Sequence, residues 1–90
     1  MTYKRTDQNQ TEVVEALRAI GASVAITSMV GFGFGDLVVG YRRNNKIIEL
    51  KFKRGTWTPA ELEFHQNWQG QIDVARSIDE AIAIVTGQDN

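Results

Sequence analysis

Between Asp36 and Lys51 the chain reads as two alternating apolar runs, Asp36-Leu-Val-Val-Gly-Tyr41 and Lys46-Ile-Ile-Glu-Leu-Lys51, flanking the polar stretch Arg42-Arg-Asn-Asn45. Alternation on both sides of a short turn predicts a β-hairpin, with strands over 36–41 and 46–52 and the turn at Arg-Arg-Asn-Asn. A hairpin pairs antiparallel, and its register decides which side chains share a face. Strand side chains alternate, so Glu49 and Lys51 point to one side while Leu50 points the other way into the core. Asp36, at the opening of the first strand, is near enough to join them.

Around the hairpin, Val13, Leu17 and Ile20 recur at helical intervals after the capping-box spacing Asp7-Gln-Asn-Gln10, which predicts a helix over 8–20 ended by Gly21. Ser23 to Met29 alternates and reads as a strand, broken by Gly31-Phe-Gly-Phe-Gly35. Thr58-Pro59-Ala-Glu61 combines an N-cap, a proline at the first helical position and a capping-box acid, so a helix from Pro59 to about Gln69 is expected. Ile72 to Ala75 reads as a short fourth strand. Ser77-Ile-Asp-Glu80 repeats the capping-box spacing before a last helix through Ala81, Ile82 and Val85, closed by Gly87. Strands three and four are joined through a helix and should be parallel. The order α-β-β-β-α-β-α therefore predicts an α/β fold, a mixed four-stranded sheet with helices packed on it.

Ninety residues make a single domain, spanning 1–90, with a modest core. No apolar stretch approaches membrane-spanning length and the polar start lacks a secretory signal, so a cytoplasmic location is expected. The absence of cysteine excludes disulfides and thiolate metal sites, and a single histidine, His65, excludes a multi-histidine zinc centre. The net charge of −1 argues against a polyanionic partner, but its distribution argues for one. Arg42, Arg43, Lys46, Lys51, Lys53 and Arg54 stand against Glu49 alone between residues 42 and 54. Such clustering is the footprint of phosphate binding, or else a solvated hairpin edge kept soluble by its bases.

Hard divalent cations take oxygen ligands, and Mg²⁺ uses one or two carboxylates plus waters and substrate phosphate. Asp36 and Glu49 suffice for one such ion, with Lys51 beside it to steady an attacking hydroxide or the charge developing on a phosphate. Taken singly, Asp36 is an ordinary strand-opening acid, and Glu49 with Lys51 an ordinary charge pair on a solvated strand face.

Gly35-Asp36 followed by Glu49-Leu-Lys51 resembles the PD-(D/E)xK nuclease superfamily. The ordered set Asn9-Gln10-Thr-Glu-Val-Val, Asp36-Leu-Val-Val-Gly40, Thr58-Pro59, His65-Gln-Asn-Trp68-Gln-Gly70 and Asp79-Glu80-Ala81 looks like its small phage-encoded and bacterial VRR-type branch, over residues 9–85. The resemblance implies a restriction-endonuclease-like core. It also implies metal-binding roles for Asp36, Glu49 and the main-chain carbonyl of Leu50, a catalytic role for Lys51, and Mg²⁺ or Mn²⁺ as the ion. In the related archaeal-type Holliday-junction resolvases an acid on the first helix also faces the metal. The matching position is Gln10, a neutral amide, and Glu12 lies about 200° around the helix from it. Gly35 stands where the motif has proline, which implies some loss of rigidity before Asp36.

The bases Arg42, Arg43, Lys46, Lys53 and Arg54 are candidate DNA-backbone contacts, with Trp57 as a stacking residue beside them. His65 reads either as a phosphate contact near Lys51 or as a packing residue hydrogen-bonded to backbone. Phe64 and Trp68, four apart on one helix, read as core. Gly31 to Gly35 lacks the features of a P-loop and reads as a mobile loop at the mouth of the site, whose Phe32 and Phe34 either insert into distorted DNA or form a dimer contact. With no element that reads bases, specificity should be for DNA shape. The resemblance implies branched or Holliday-junction DNA, and symmetric cuts on a junction imply a homodimer. The alternative is a catalytically inactive DNA-binding or structural module of a phage replication or repair complex.

Overall fold

The computed structural model describes residues 3–52 and 56–87. Its elements run α1 (Tyr3–Ala19), β1 (Ser23–Ile26), β2 (Leu37–Tyr41), β3 (Asn44–Leu50), α2 (Pro59–Asn67), β4 (Asp73–Ala75) and α3 (Ile78–Thr86). The four strands form one mixed sheet in the order β1-β2-β3-β4, antiparallel at the first two junctions and parallel at β3–β4. The expected α/β architecture and element order are therefore present. Among the described residues no helix is long and apolar enough to cross a membrane.

The core lies where α1 and α3 meet each other and one face of the sheet. Val13, Val14 and Leu17 come from α1, Leu37 and Val39 from β2, Ile48 from β3, Ala75 from β4, and Ala81, Ile84 and Val85 from α3, all buried. Each of these stripes follows the period of its element. Truncating a fully buried member such as Leu17 to alanine would cost about 2–5 kcal/mol, the usual range for a large core residue.

Element ends depart from the sequence reading: β3 ends at Leu50 and not at 52, α2 at Asn67 and not near Gln69, β4 starts at Asp73 and not at Ile72, and three further departures each have a local cause. Helix α1 begins at Tyr3, so Asp7 lies inside it instead of capping it. Strand β1 stops at Ile26 because Val30 donates its N–H to the Thr27 carbonyl at 3.0 Å, closing a turn that leaves Met29 fully exposed. The hairpin turn is two residues, not four. Tyr41 pairs with Asn44, and Arg42 and Arg43 both take left-handed φ angles of 51° and 71°, so Asn44 and Asn45 belong to β3. That backbone is the primed turn whose twist matches a hairpin, although asparagine and glycine are its usual occupants.

Two residues before β4, the Gln71 side chain substitutes for a strand residue. Its Oε1 accepts from Ile47 N at 2.7 Å and its Nε2 donates to Ile47 O at 2.8 Å, continuing the β3–β4 ladder by one step. The caps predicted for α2 and α3 are formed. Thr58 caps α2 with the full reciprocal box through Glu61, and Ser77 Oγ accepts from Glu80 N at the start of α3. Glu80 reaches one residue further back, taking the N–H of Arg76 at 2.6 Å.

Candidate active site

Leu37 pairs with Ile48, and just before β2 the ladder becomes irregular: Asp36 donates its N–H to Ile48 O at 2.9 Å, one residue out of that register, while its carbonyl accepts from Thr27 N at 2.8 Å. Its side chain nevertheless lies beside that of Glu49, and the two carboxyls line one cavity. One oxygen of Asp36, Oδ2, accepts the N–H of Leu50 at 2.8 Å. Leu50 lies beyond the last β2 partner, so Asp36 supplies by side chain what the missing strand would supply by backbone. The N–H and C=O of one antiparallel residue face the same neighbour, so the Leu50 carbonyl points to the Asp36 side as well.

Glu49 is 3% exposed, and its Oε1 meets no hydrogen-bond donor among the described residues. Burial, then the charges of Asp36 and Glu61, push its carboxyl up to about 8, only partly offset by Lys51. Burial raises Asp36 too, against the opposing pull of the Leu50 N–H. Two neighbouring carboxyls with too little positive charge between them keep a proton at neutral pH. A solvated strand face would do nothing of the kind, so the ordinary surface-pair account of Glu49 and Lys51 does not hold here.

Lys51 is 7% exposed. Its Nζ donates to Glu61 Oε1 at 2.6 Å and to the Thr56 carbonyl at 2.7 Å, and stands 3.7 Å from Glu49 Oε2. The Trp57 ring centroid lies 5.0 Å from that nitrogen. Glu61, read from sequence only as a capping acid, does both tasks with one oxygen, since Oε1 also accepts from Thr58 N at 3.0 Å. Burial raises Glu61, but the Lys51 and Thr58 hydrogen bonds outweigh it and hold this carboxyl below its ordinary range. No local spacing announces a contact ten residues away between a strand and a helix start, which is why sequence reasoning missed it.

These groups line one cavity of about 320 Å³ whose wall is Asn9, Asp36, Glu49, Leu50, Lys51, Phe52, Thr56 and Glu61. Among the described residues no set of three or more acidic, histidine or cysteine side chains is arranged to hold a metal. Two acids remain, the number Mg²⁺ ordinarily uses. A buried carboxylate oxygen without a donor, a second acid opposite it and a carbonyl on the same side form an all-oxygen set that fits a hard divalent cation.

The other candidates are placed unevenly. Helix α1 presents Asn9 to the cavity; Gln10 is half-buried and is not part of the wall, and Glu12 is exposed. Arg42 and Arg43 sit at the hairpin tip, the opposite end of β2 from Asp36, roughly 20 Å away at about 3.4 Å per residue. Arg42 lies over the Tyr41 ring at 5.3 Å. Lys46 is an odd number of residues from Glu49, so it projects from the other face of the sheet, opposite Val39. The basic run is thus not one patch around the acids, because a hairpin separates in space what the sequence crowds together. Lys53 and Arg54 lie outside the described residues. Trp57 is half-buried, packed edge-on against His65 at 4.7 Å. His65 Nε2 is buried and meets no hydrogen-bond partner among the described residues. Burial lowers its pKa, with Glu61 opposing the shift.

Phe64 and Trp68 do not join the core. Helix α2 buries none of its residues, and the two rings stack on each other at 5.0 Å while Phe34 meets both edge-on. Phe32 is 88% exposed. The glycine loop is braced: a Cβ on Gly33, at φ 77°, would strike the Ala60 carbonyl. One on Gly35 would come within 2.7 Å of Ile47 Cγ2 and 3.1 Å of Ile48 O, and the Gly35 carbonyl accepts from Thr27 Oγ1 at 2.7 Å. Glycine before Asp36 is thus what the packing requires, and the loop is anchored at that point.

In comparison with known proteins, no family model, no curated protein and no solved structure matches the chain.

Proposed function

We propose that this chain is a metal-dependent DNA endonuclease with a restriction-endonuclease-like core of the PD-(D/E)xK kind, selective for DNA shape and directed at branched or four-way-junction substrates. The observation that carries the reading is the buried Asp36–Glu49 pair beside Lys51. Burying two acids face to face with an oxygen left unsatisfied destabilises the fold, and such arrangements concentrate at functional sites. A bound Mg²⁺ or Mn²⁺ would be held by Asp36, Glu49 and the Leu50 carbonyl, supplying Lewis acidity at the scissile phosphate and its attacking water. Lys51 contributes a fixed positive charge and a donor to a phosphate oxygen as negative charge builds there. Asp36, through its bond to Leu50 N–H, keeps the carbonyl and the acids in one frame.

The competing reading, an inactive DNA-binding or structural module, draws support from the neutral Asn9 at the cavity wall and Gln10 beside it, where a third acid would stand. Incubating linear, single-stranded, flap and four-way-junction DNA with Mg²⁺, Mn²⁺ or EDTA separates the two. Cation-dependent cleavage with preference for the junction supports the endonuclease; equal junction binding in EDTA and Mg²⁺ without cleavage selects the module. Light scattering that gives a homodimer fits paired cuts on a junction.

A further inference from the structure

We propose that Glu61 is a positioning residue for Lys51, holding the ammonium away from Glu49 with one N–H left for the cavity. The inference rests on the nuclease reading for its role in turnover, but the hold itself is a property of the folded chain.

Lysine carries three N–H donors on a flexible four-carbon stem, so its direction is set only by what it is tied to. Glu61 Oε1 and the Thr56 carbonyl take two of the donors, at 2.6 and 2.7 Å. Glu49 Oε2, at 3.7 Å, is beyond hydrogen-bond reach. That gap has a chemical consequence. Were Lys51 to close on Glu49, it would neutralise the acid meant for a cation and spend the donor meant for phosphate. Glu61 prevents this because it is itself immobile. Its carboxylate accepts from the Thr58 backbone N–H at 3.0 Å, which fixes the rotamer that meets Lys51 and survives a change of the Thr58 side chain, whereas the bond from the Glu61 backbone N–H to Thr58 Oγ1 at 3.1 Å serves only the helix cap. The start of α2 thereby serves as the mount for the side chain that follows β3.

The test uses Glu61→Ala, Glu61→Gln and, as a control for the cap, Thr58→Ala. Nitrogen-15 NMR of the Lys51 ammonium, without divalent cation, should show a slowly exchanging signal in the parent, Glu61→Gln and Thr58→Ala, and its loss in Glu61→Ala. On junction DNA with Mg²⁺, Glu61→Ala should lower kcat at least tenfold with KM little changed, Glu61→Gln should recover most of it, and Thr58→Ala should lower the melting temperature alone. An unchanged Lys51 signal in Glu61→Ala, or a rate loss in Thr58→Ala equal to that of Glu61→Ala, overturns the proposal. A parent protein that cleaves nothing while the NMR pattern holds overturns the nuclease reading, and with it the role in turnover, but not the hold of Glu61 on Lys51.

Discussion

Leu50 donates its backbone N–H to Asp36 Oδ2 at 2.8 Å, fastening the acid that precedes β2 to the strand that carries Glu49 and leads into Lys51. The bond gives Asp36 a structural task beside the chemical one proposed for it, and substitutions can separate them.

Asp36→Asn keeps an acceptor for Leu50 and should stay folded while losing cation-dependent cleavage by at least about a hundredfold, the upper end of what outer partners of a metal site cost. Glu49→Gln should behave alike. Asp36→Ala should in addition lose about 1 kcal/mol, because the part-buried Leu50 N–H is left without its acceptor. Cleavage assays paired with chemical denaturation check this, and activity surviving in both alanine variants, Asp36→Ala and Glu49→Ala, would end the catalytic assignment.

Folding stability should depend on pH through Glu49. Its carboxyl holds a proton up to about 8 in the folded chain, against 4.5 for the free group. The folded state therefore binds more protons than the unfolded state inside that window, and stability falls as pH rises through it. Thermal melts without divalent cation should decline from the acid to the alkaline end, and Glu49→Gln should flatten the decline. Mg²⁺ should stabilise most at the alkaline end and release protons on binding, seen by calorimetry in buffers of different ionisation enthalpy.

Proline at position 35, where the PD-(D/E)xK motif that the sequence resembles has it, should harm this chain. Gly35→Ala or Gly35→Pro places a carbon against Ile47 Cγ2, and overpacking of this kind costs about 1–3 kcal/mol. Trimming the obstacle with Ile47→Val should not rescue either variant fully, because the Ile48 carbonyl remains close. Gly33→Ala should cost more than Gly35→Ala, since it meets backbone at a positive φ. Denaturant midpoints decide the order.

At the hairpin tip, Arg42→Asn with Arg43→Gly should raise stability, because this pair suits left-handed backbone at both positions. If the two arginines contact phosphates, the same double variant should flatten the salt dependence of DNA binding by about 0.9 per lost contact in log–log slope. A higher melting temperature with an unchanged slope would leave the arginines without a DNA role.

What was legible in the sequence follows from how local each signal is. Helix caps at Thr58 and Ser77, the alternation around Ile48 and the crossover that makes β4 parallel all depend on residues close together in the chain, and all are present. The juxtaposition of Asp36 with Glu49 was readable because a hairpin turns sequence alternation into register. Three things were not. Glu61 reaches Lys51 across two elements. Phe64 and Trp68 have core spacing, yet α2 sits off the main core and its rings find Phe34 instead. Gly35 is dictated by the neighbouring β3 chain, which no reading of the loop alone contains.

The two-residue tip also sets a length. Arg42 follows Asp36 by six residues, about 20 Å of extended chain at roughly 3.4 Å per residue, and the same span of duplex at about 3.4 Å per step holds some six base pairs. An oligonucleotide shorter than that can fill the acid cavity or touch the arginine pair, but it cannot bridge them, so any contribution of Arg42 and Arg43 to affinity would switch on with substrate length instead of growing smoothly with it.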